Sequence, residues 1–377
     1  MNIKKELKRI LIGTMIFGIT LSSPLAVKAQ ASESEIRTKI FNLESLITEA
    51  LDNNAEIKLL DNQIVTQEKR YNNAVKNAKE QNIYDENPSK DIAETKRNIL
   101  LYPLQVKNRL EELKWEKKNK VMTLKADASK LYYQYIYKQY EIVTQSKSVE
   151  RAKTELAVEK EKVKLGKLNS LSLGQSENAL ETAVQKLDKL DAELDAIQMK
   201  INTILNFDLD QRFKFNSDTV KIEEYKVNDI EAIIEKRKLE SNSIARLQRQ
   251  IEEAKIDSYA GSYTRGNVGS NYELLQDKPK ELENQIEIEK YNIEQKIRTD
   301  YVKLLESYDN IYTTKLQYDL SLKQFEISEK KYEQEMISYI DYLKAVEDKE
   351  NALIQYNQAQ YAYLAAVLDF KLYIEEL

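Results

Sequence analysis

The chain of 377 residues contains neither cysteine nor histidine. Without cysteine it has no disulfides and no thiolate chemistry, and without histidine it lacks the usual zinc sites and the commonest general acid–base group. Carboxylates are plentiful, but pairs such as Glu159/Glu161 and Glu252/Glu253 lie on charged helical patterns with no nucleophile arrangement beside them. The sequence therefore predicts neither an enzyme nor a site for a cofactor or metal.

Glycine and proline are also scarce, with 7 and 4 residues, while charged residues make up 32% of the chain. Such a composition excludes glycine-rich barrels and sandwiches as the main architecture and favours long helices with one solvated face. The net charge of −5 comes from interspersed acidic and basic residues, so there is no clustered basic face for nucleic acid. After the N-terminal segment, no run approaches the roughly 20 apolar residues of a membrane-spanning helix.

Residues 1–31 have the pattern of a secretory signal peptide. The basic segment MNIKKELKR precedes the apolar run ILIGTMIFGITL, and Ala29 and Ala31 fit the small-residue cleavage pattern. The alternative, an uncleaved membrane anchor, is less favoured because the apolar run is short for a spanning helix. The sequence therefore predicts an exported protein of the cell envelope.

The remainder of the chain contains an internal duplication. The segment LESLITEALDNNAEIKLLDNQI (43–64) aligns with IEAIIEKRKLESNSIARLQRQI (230–251) at a shift of 187 positions. A second match begins with Tyr132 on Tyr301, at a shift of 169, and continues to the C-terminus. A duplicated helical unit of this length usually builds one composite object.

The duplication divides the exported chain into a first repeat over residues 32–205, a linker over 206–229 and a second repeat over 230–377. Each repeat is predicted to contain a first helix, a break, a long helix, a reversal and a returning helix. Because the shift falls from 187 to 169 positions, the first repeat is the longer one, and the extra residues lie in or near its break.

In the first repeat the first helix is predicted over 43–80 and the long helix from Leu104 to about Lys164. The reversal lies within LGKLNSLSLG (165–174), which holds two glycines. The returning helix then runs to the end of the repeat.

In the second repeat the first helix is predicted over 230–257 and a break over 258–279. The long helix follows from about Lys280 to Met336, and the reversal lies near residues 337–342. This second reversal has no glycine.

The returning helix of the first repeat carries four heptads with both core positions apolar, which is typical of a coiled coil. The second repeat instead alternates aromatic residues with alanine at these positions, so that helices can approach closely. We expect the two copies to pack side by side in a shared wall rather than to form separate amphipathic helices. The positions predicted for the coiled-coil core are Leu180, Leu187, Leu190, Leu194, Ile197, Ile201, Tyr356, Tyr363 and Phe370.

Three segments resemble one known family. The opening NLESLITEALDNNAEIKLLDNQI and the segments EKVKLGKLNSLSLGQSENAL and KYEQEMISYIDYLKAVEDKENAL are similar to the start and the two hairpin tips of the TolC-like outer membrane efflux proteins, also called outer membrane factors. The resemblance covers essentially the whole exported chain. It implies an all-α dominated fold with long antiparallel coiled-coil helical hairpins in two tandem repeats, a TolC-like α-barrel with short or absent β-hairpin segments.

By this resemblance the chain is a channel component of an efflux or type I secretion system. The family fold implies a homotrimer, a pseudo-sixfold helical conduit whose tips meet a periplasmic adaptor protein and, through it, an inner-membrane exporter. The resemblance places the adaptor-docking tips at Leu165, Gly166, Lys167, Leu168, Asn169 and Ser170 and, in the second repeat, at Met336, Ile337, Ser338 and Tyr339. Gly166 also suits a plain helix C-cap.

One departure from the family concerns its membrane hairpins, which need two alternating strands of about 9–11 residues each. The first break (81–103) is charged and does not alternate, and the second (258–275) has room only for a short hairpin. The sequence therefore does not itself predict contact with an outer membrane. The alternative function is an exported coiled-coil spacer of the cell envelope without a membrane barrel. A trimeric hollow particle would favour the channel, and a monomeric or dimeric rod would favour the spacer.

Overall fold

The computed structural model describes residues 39–81, 92–166, 170–216, 221–263 and 269–376. The chain divides into two units, Met1–Thr38 and Lys39–Leu377, and all described residues belong to the second. The predicted signal peptide therefore lies outside the described residues.

The first repeat begins with a short strand and continues almost entirely as helix. Its elements are β1 (Lys39–Phe41), α1 (Leu43–Asn53), α2 (Ala55–Glu80), α3 (Ile92–Lys96), a π-helical turn (Arg97–Leu101), α4 (Tyr102–Lys164) and α5 (Ser170–Leu205). Helix α4 has 63 residues, and at 1.5 Å per residue it is about 95 Å long. Pro103 lies in its first turn, directly after the π-helical turn.

The linker and the second repeat follow the same plan. Their elements are β2 (Phe213–Phe215), α6 (Ile230–Glu240), α7 (Asn242–Gly261), α8 (Gly269–Glu333) and α9 (Tyr339–Tyr373). The long helix and the returning helix predicted for each repeat are therefore both present. Among the described residues, no helix combines the length and the apolarity needed to cross a membrane.

The element bounds repeat at the two shifts seen in the sequence. Helix α6 begins and ends 187 residues after α1, and α7 begins 187 residues after α2. The end of α8 and the start of α9 lie 169 residues after the end of α4 and the start of α5. The residues with left-handed backbone also repeat at the shift of 169 positions. Gly166 corresponds to Glu335 and Asn206 to Glu375, and all four have φ between 55° and 66°. The duplication thus extends to individual backbone angles.

The first helix of each repeat is interrupted, which corrects the prediction of continuous helices over 43–80 and 230–257. Asn54 and Ser241 adopt extended backbone, with ψ of 115° and 120°. Each side chain then accepts a hydrogen bond from the backbone N–H three residues on, at 3.0 Å for Asn54 and 3.4 Å for Ser241. Short polar side chains compete with the helix in this way and start a new one.

The predicted break over 258–279 is also wrong in extent. Helix α7 continues to Gly261, α8 begins at Gly269, and Pro279 lies inside α8. A proline within a helix costs about 3 kcal/mol, but α8 has 65 residues and packs on α9, α7 and α6, so the helix persists. Only seven residues, 262–268, remain between the two helices.

The four long helices pack side by side in the order α5, α4, α9, α8. Helix α4 packs on α5, α9 packs on α8, and α4 and α9 pack on one another. The two repeats therefore share one wall, as the sequence predicted. Polar pairs join α4 to α9 along this contact. They are Lys130 with Asp369, Tyr137 with Gln360 (3.2 Å), Glu141 with Gln358 (2.8 Å) and Arg151 with Glu350 (2.9 Å).

The core of the first repeat includes part of the linker. Strands β1 and β2 pair in parallel, with Phe41 opposite Phe215. Phe215 packs edge-on against Tyr132 and Tyr135, with ring centroids 5.1 and 4.9 Å apart. Tyr132 and Tyr135 of α4 are thus buried in packing contacts, and the linker strand that covers them was not predicted.

Two hydrogen bonds of Tyr363 fix the linker against the core of the second repeat. The hydroxyl of Tyr363, whose side chain is 1% exposed, accepts a hydrogen bond from Tyr225 N (2.6 Å) and donates one to Glu223 O (2.9 Å). The linker segment 221–227 is thereby fixed to α9, and burial raises the pKa of Tyr363.

We expect Tyr363→Phe to lower the free energy of unfolding by about 2 kcal/mol, because both backbone groups lose their partner inside the core. The midpoint of urea unfolding measures the loss. Tyr312→Phe is the matched control, since Tyr312 is 66% exposed, and it should change stability by less than about 0.5 kcal/mol. Equal effects of the two substitutions would show that the two hydrogen bonds of the Tyr363 hydroxyl do not stabilise the fold.

Candidate functional site

The two reversals between long helices begin with a left-handed residue at the same repeat position. In the second, Glu335 N donates to Tyr332 O (2.9 Å) and Met336 N donates to Lys331 O (2.8 Å), which is a Schellman motif around the left-handed Glu335. In the first, Gly166 N donates to Val163 O (2.9 Å). The glycine that the sequence suggested as a C-cap therefore has this role, and Glu335 occupies its place in the second repeat.

The residues predicted as docking tips are placed as follows. Leu165 and Met336 are 58% and 68% exposed. Ser338 caps α9, where its side chain accepts a hydrogen bond from Asp341 N at 3.1 Å, and Ile337 and Tyr339 are half-buried. Ser170 is the first residue of α5, and Lys167, Leu168 and Asn169 lie outside the described residues.

Each reversal also presents an apolar side chain at an equivalent position of its returning helix. Leu171 is 70% exposed on α5 and Ile340 is 59% exposed on α9, one repeat shift later. Exposed apolar residues at matching positions, rather than scattered singly, are characteristic of contact surfaces. Both reversals therefore offer a small apolar patch at the same end of the helical layer.

The second reversal is supported by stacked rings that the first reversal lacks. Tyr332 and Tyr342 stack with centroids 4.9 Å apart, and Tyr339 lies 5.7 Å from Tyr332. Burial raises the pKa of both Tyr339 and Tyr342. The equivalent positions in the first repeat hold Val163, Ser170 and Leu173. The two tips thus begin with the same left-handed backbone but differ in side-chain chemistry.

The positions predicted for the coiled-coil core differ in burial between the two returning helices. On α9, Tyr363 and Phe370 are fully buried and Tyr356 is half-buried. On α5, Ile197 and Ile201 are buried, while four positions are only half-buried: Leu180, Leu187, Leu190 and Leu194. Helix α9 lies between two long helices, whereas α5 packs on α4 alone among the long helices described. The half-burial of α5 follows from its place at the margin of the layer.

Helix α8 forms the other margin and carries a second apolar face. One face is buried against α9, with Ile297 and Leu304 at 0% and 1% exposure. The residues of the other face, here called the α8 stripe, fall within a sector of about 80° at 100° per residue. They are 39% to 67% exposed and comprise Tyr291, Val302, Leu305, Tyr312, Leu316, Leu320 and Ile327. This stripe was not predicted from the sequence, although two apolar faces on one helix indicate it.

The outward face of α5 is chemically different from the α8 stripe. Ala192 and Ala196 are exposed there, so a large side chain from another helix can approach closely. Asp188 and Asp191 lie on the same side. Burial, followed by the charges of Asp188 and Asp195, raises the pKa of Asp191. One margin therefore offers large apolar side chains and the other offers small ones flanked by carboxylates.

No family model matches the chain, and no curated protein matches it in sequence at a significant level. Solved structures do match. The Campylobacter jejuni CmeC outer membrane channel has a TM-score of 0.64 and 13% identity, with 95% of this chain and 94% of that chain covered. The chain has the fold of TolC-like outer membrane channels.

Two further channels agree with this assignment. The Vibrio cholerae outer membrane protein VceC has a TM-score of 0.64 and 10% identity, covering 88% of this chain and 95% of that chain. The open state of the Neisseria gonorrhoeae MtrE outer membrane channel has a TM-score of 0.59 and 11% identity, with 88% of each chain covered. At these identities the likeness concerns the fold, and it confirms the predicted fold class of all-α hairpins in two tandem repeats.

The backbone role of Gly166 can be tested against a matched glycine. A Cβ added at Gly166 or at Gly174 meets no atom within 4 Å, but only Gly166 has a positive φ, of 66°. We expect Gly166→Ala to lower the free energy of unfolding by about 1 kcal/mol, because L-residues are strained in this region. Gly174→Ala, inside α5, should raise it by about 0.5–1 kcal/mol. Thermal unfolding of both variants measures the difference, and a gain for Gly166→Ala would contradict the geometry.

Proposed function

We propose that the chain is an outer-membrane-factor-like channel component of an efflux or secretion system. The observation that supports this function is a fold that follows known outer membrane channels over 88% to 95% of the chain. The N-terminal segment, residues 1–31, directs the protein to the cell envelope. There the long helices form the wall of a conduit, and no catalytic step is involved.

In the proposed assembly, α8 of one copy packs on α5 of the next. Helix α8 is the repeat counterpart of α4, and α5 is the counterpart of α9, so this contact repeats the one between α4 and α9 within the chain. A head-to-tail contact of this kind generates a ring when the rotation closes. Six repeats from three copies give the homotrimer that the resemblance implies.

Exposure at the margins supports this contact. Glu141 is buried where α4 meets α9, but its counterpart on α8, Asn310, is exposed. Arg151 is half-buried beside Glu350, whereas its counterpart Leu320 is 57% exposed. Positions that are covered at the internal contact are thus uncovered at the margin. A second copy would cover them with the small residues of its α5.

The repeat shift also predicts which residues meet between copies. Moving each α4 residue forward by 169 positions, and each α9 residue back by the same number, converts the polar pairs of the internal contact into pairs across the boundary. The predicted pairs are Leu320 with Glu181, Asn310 with Lys189, Glu306 with Asp191 and Thr299 with Lys200. All eight side chains are exposed in the single chain.

The two reversals are the proposed contact with a periplasmic adaptor, through which the conduit joins an inner-membrane exporter. The apolar patches at Leu171 and Ile340, beside Leu165 and Met336, provide the surface. Because the four residues come from both repeats, a closed ring of three copies would present six such patches at one end.

Cysteine cross-linking tests the proposed boundary, and the chain has no native cysteine to interfere. We expect the variant Leu320→Cys/Glu181→Cys, treated with a short bismaleimide, to form covalent products of two and three chains and none larger. A closed ring limits the products to three. Denaturing gel electrophoresis and mass measurement count the chains.

Two controls accompany this measurement. Arg151→Cys/Glu350→Cys reproduces the internal contact and should link within one chain, without a larger product. In Leu320→Cys/Lys200→Cys the partner lies nineteen residues further along α5, about 28 Å away, and should not link. Equal yields from the matched and displaced pairs would contradict the predicted boundary.

The second candidate function is an exported coiled-coil spacer. It is favoured by the sequence of the two breaks, which does not supply two alternating strands of about 9–11 residues each. The same cross-linking separates the two functions. Products of three chains support the conduit, whereas a monomer or dimer without boundary products supports the spacer.

A further inference from the structure

The repeat shift places two acidic side chains opposite one another at the proposed boundary between copies. Within the chain, the hydroxyl of Tyr137 on α4 donates a hydrogen bond to Gln360 Oε1 on α9, at 3.2 Å. The counterpart of Tyr137 is Glu306 on α8, and the counterpart of Gln360 is Asp191 on α5. Only a second copy brings Glu306 and Asp191 together, so this contact rests on the proposed function.

The two carboxylates of this contact are close enough to repel one another. Glutamate and aspartate are shorter than the tyrosine and glutamine of the internal contact, so their oxygens lie somewhat further apart than 3.2 Å. Like charges within about 4–6 Å disfavour the ionised form of a carboxyl group. Glu306 and Asp191 are both exposed in the single chain, so their mutual repulsion arises only on assembly.

Asp191 already lies among like charges on α5. Asp188 is one turn before it and Asp195 one turn after it, and burial, followed by these two charges, raises the pKa of Asp191. Asp195 has a cation of its own, because Arg212 lies 2.5 Å from it. Among the described residues, neither Asp188 nor Asp191 has such an ion pair.

The cations closest to this contact have carboxylate partners as well. Lys138 of the adjoining α4 and Lys189 of α5 both pair with Glu193, at 2.9 and 3.9 Å. On α8, Lys303 lies one turn before Glu306 and 3.7 Å from Asp300. These cations are therefore shared with other carboxylates and do not neutralise the new pair.

The remaining charges of the two helices do not offset the repulsion either. Asp309, three residues after Glu306 on α8, adds another exposed carboxylate. Lys186 of α5 lines the groove between α5 and α9, on another face of the helix. Lys200 is exposed but lies nine residues from Asp191, about 14 Å along the helix and beyond the screening length of about 8 Å at physiological salt. Protonation is therefore the means by which the contact loses its repulsion.

We propose that Glu306 of one copy and Asp191 of the next share a proton, so that the ring assembles more tightly as the pH falls. Two carboxylates held together take up one proton more readily than either does alone. The assembled ring therefore binds more protons than the separate copies, and association strengthens on acidification. Because the pKa of Asp191 is raised already in the single chain, the gain begins above the ordinary carboxyl range of about pH 4.

Sedimentation velocity of the purified protein measures this linkage as the fractions of one-chain and three-chain particles. A chelator is present throughout, so that no divalent cation bridges the carboxylates. Between about pH 7.5 and about pH 5 we expect each boundary to tighten at least about 3-fold, and the constant for closing all three boundaries to rise at least about 30-fold.

Two variants remove one charge of the contact. In Glu306→Gln and in Asp191→Asn, an amide faces the remaining carboxylate and donates a hydrogen bond to it. Either variant should assemble at about pH 7.5 at least as tightly as the unchanged protein does at about pH 5, and its association should vary less than about 2-fold over that range.

Glu326→Gln is the matched control for the change of net charge. Glu326 is likewise an exposed glutamate of α8, but its counterpart Ala157 is exposed on α4 rather than covered at the internal contact. The repeat therefore does not place Glu326 at the boundary, and this variant should keep the pH dependence of the unchanged protein.

The possible results separate the shared proton from the conduit itself. Three-chain particles whose association does not depend on pH, or is unchanged in Glu306→Gln, would overturn the shared proton and leave the conduit standing. An equal loss of pH dependence in Glu326→Gln would show a general effect of net charge and would also overturn it. Single chains at every pH would overturn both proposals.

Discussion

The packing of α4 on α9 joins the two repeats and determines which faces of the other long helices remain exposed. Along this contact, small and aromatic residues of α9 meet α4, and the polar pairs Lys130–Asp369 and Arg151–Glu350 fix the register. Because α4 and α9 occupy the middle of the layer, α5 and α8 become its margins. The half-buried heptad of α5 and the exposed stripe of α8 are consequences of that order. The same contact is the basis for the proposed boundary between copies. In the repeat, α8 is the counterpart of α4 and α5 is the counterpart of α9.

The ends of the long helices are set by four left-handed residues. Gly166 and Glu335 reverse the chain between long helices, and Asn206 and Glu375 end the returning helices at the same distance from those reversals. Equal hairpin lengths keep the two repeats in register over the whole layer. Glycine is the expected residue in such a position, yet three of the four are Asn or Glu. The Schellman hydrogen bonds and, for Glu375, ion pairs with Lys118 and Arg237 hold these residues there.

Periodicity was enough to predict the long helices, the duplication and the packing of the repeats, because helix length, heptads and shifts are properties of the pattern itself. The breaks at Asn54 and Ser241 were missed because a capping side chain inside an apolar pattern looks like an ordinary helical position. Pro279 predicts the end of a helical break, but tertiary packing of α8 outweighs the local cost of the proline. Strand β2 has only three residues, and its pairing with β1 joins segments that are far apart in sequence. The α8 stripe required knowing which face of α8 the chain itself covers.

The two repeats share helix boundaries and left-handed residues, but many of their equivalent positions hold different side chains. Trp115 has Asn284 as its repeat counterpart, and the ring stack at Tyr332, Tyr339 and Tyr342 corresponds to aliphatic and small residues in the first repeat. A strictly symmetric molecule would present every surface and cavity twice. Here the aromatic tip occurs once per chain among the described residues. A ring of three copies would therefore have sixfold geometry in its backbone and only threefold chemistry on its surfaces. Any partner or ligand that recognises side chains rather than shape would bind three times per ring, not six.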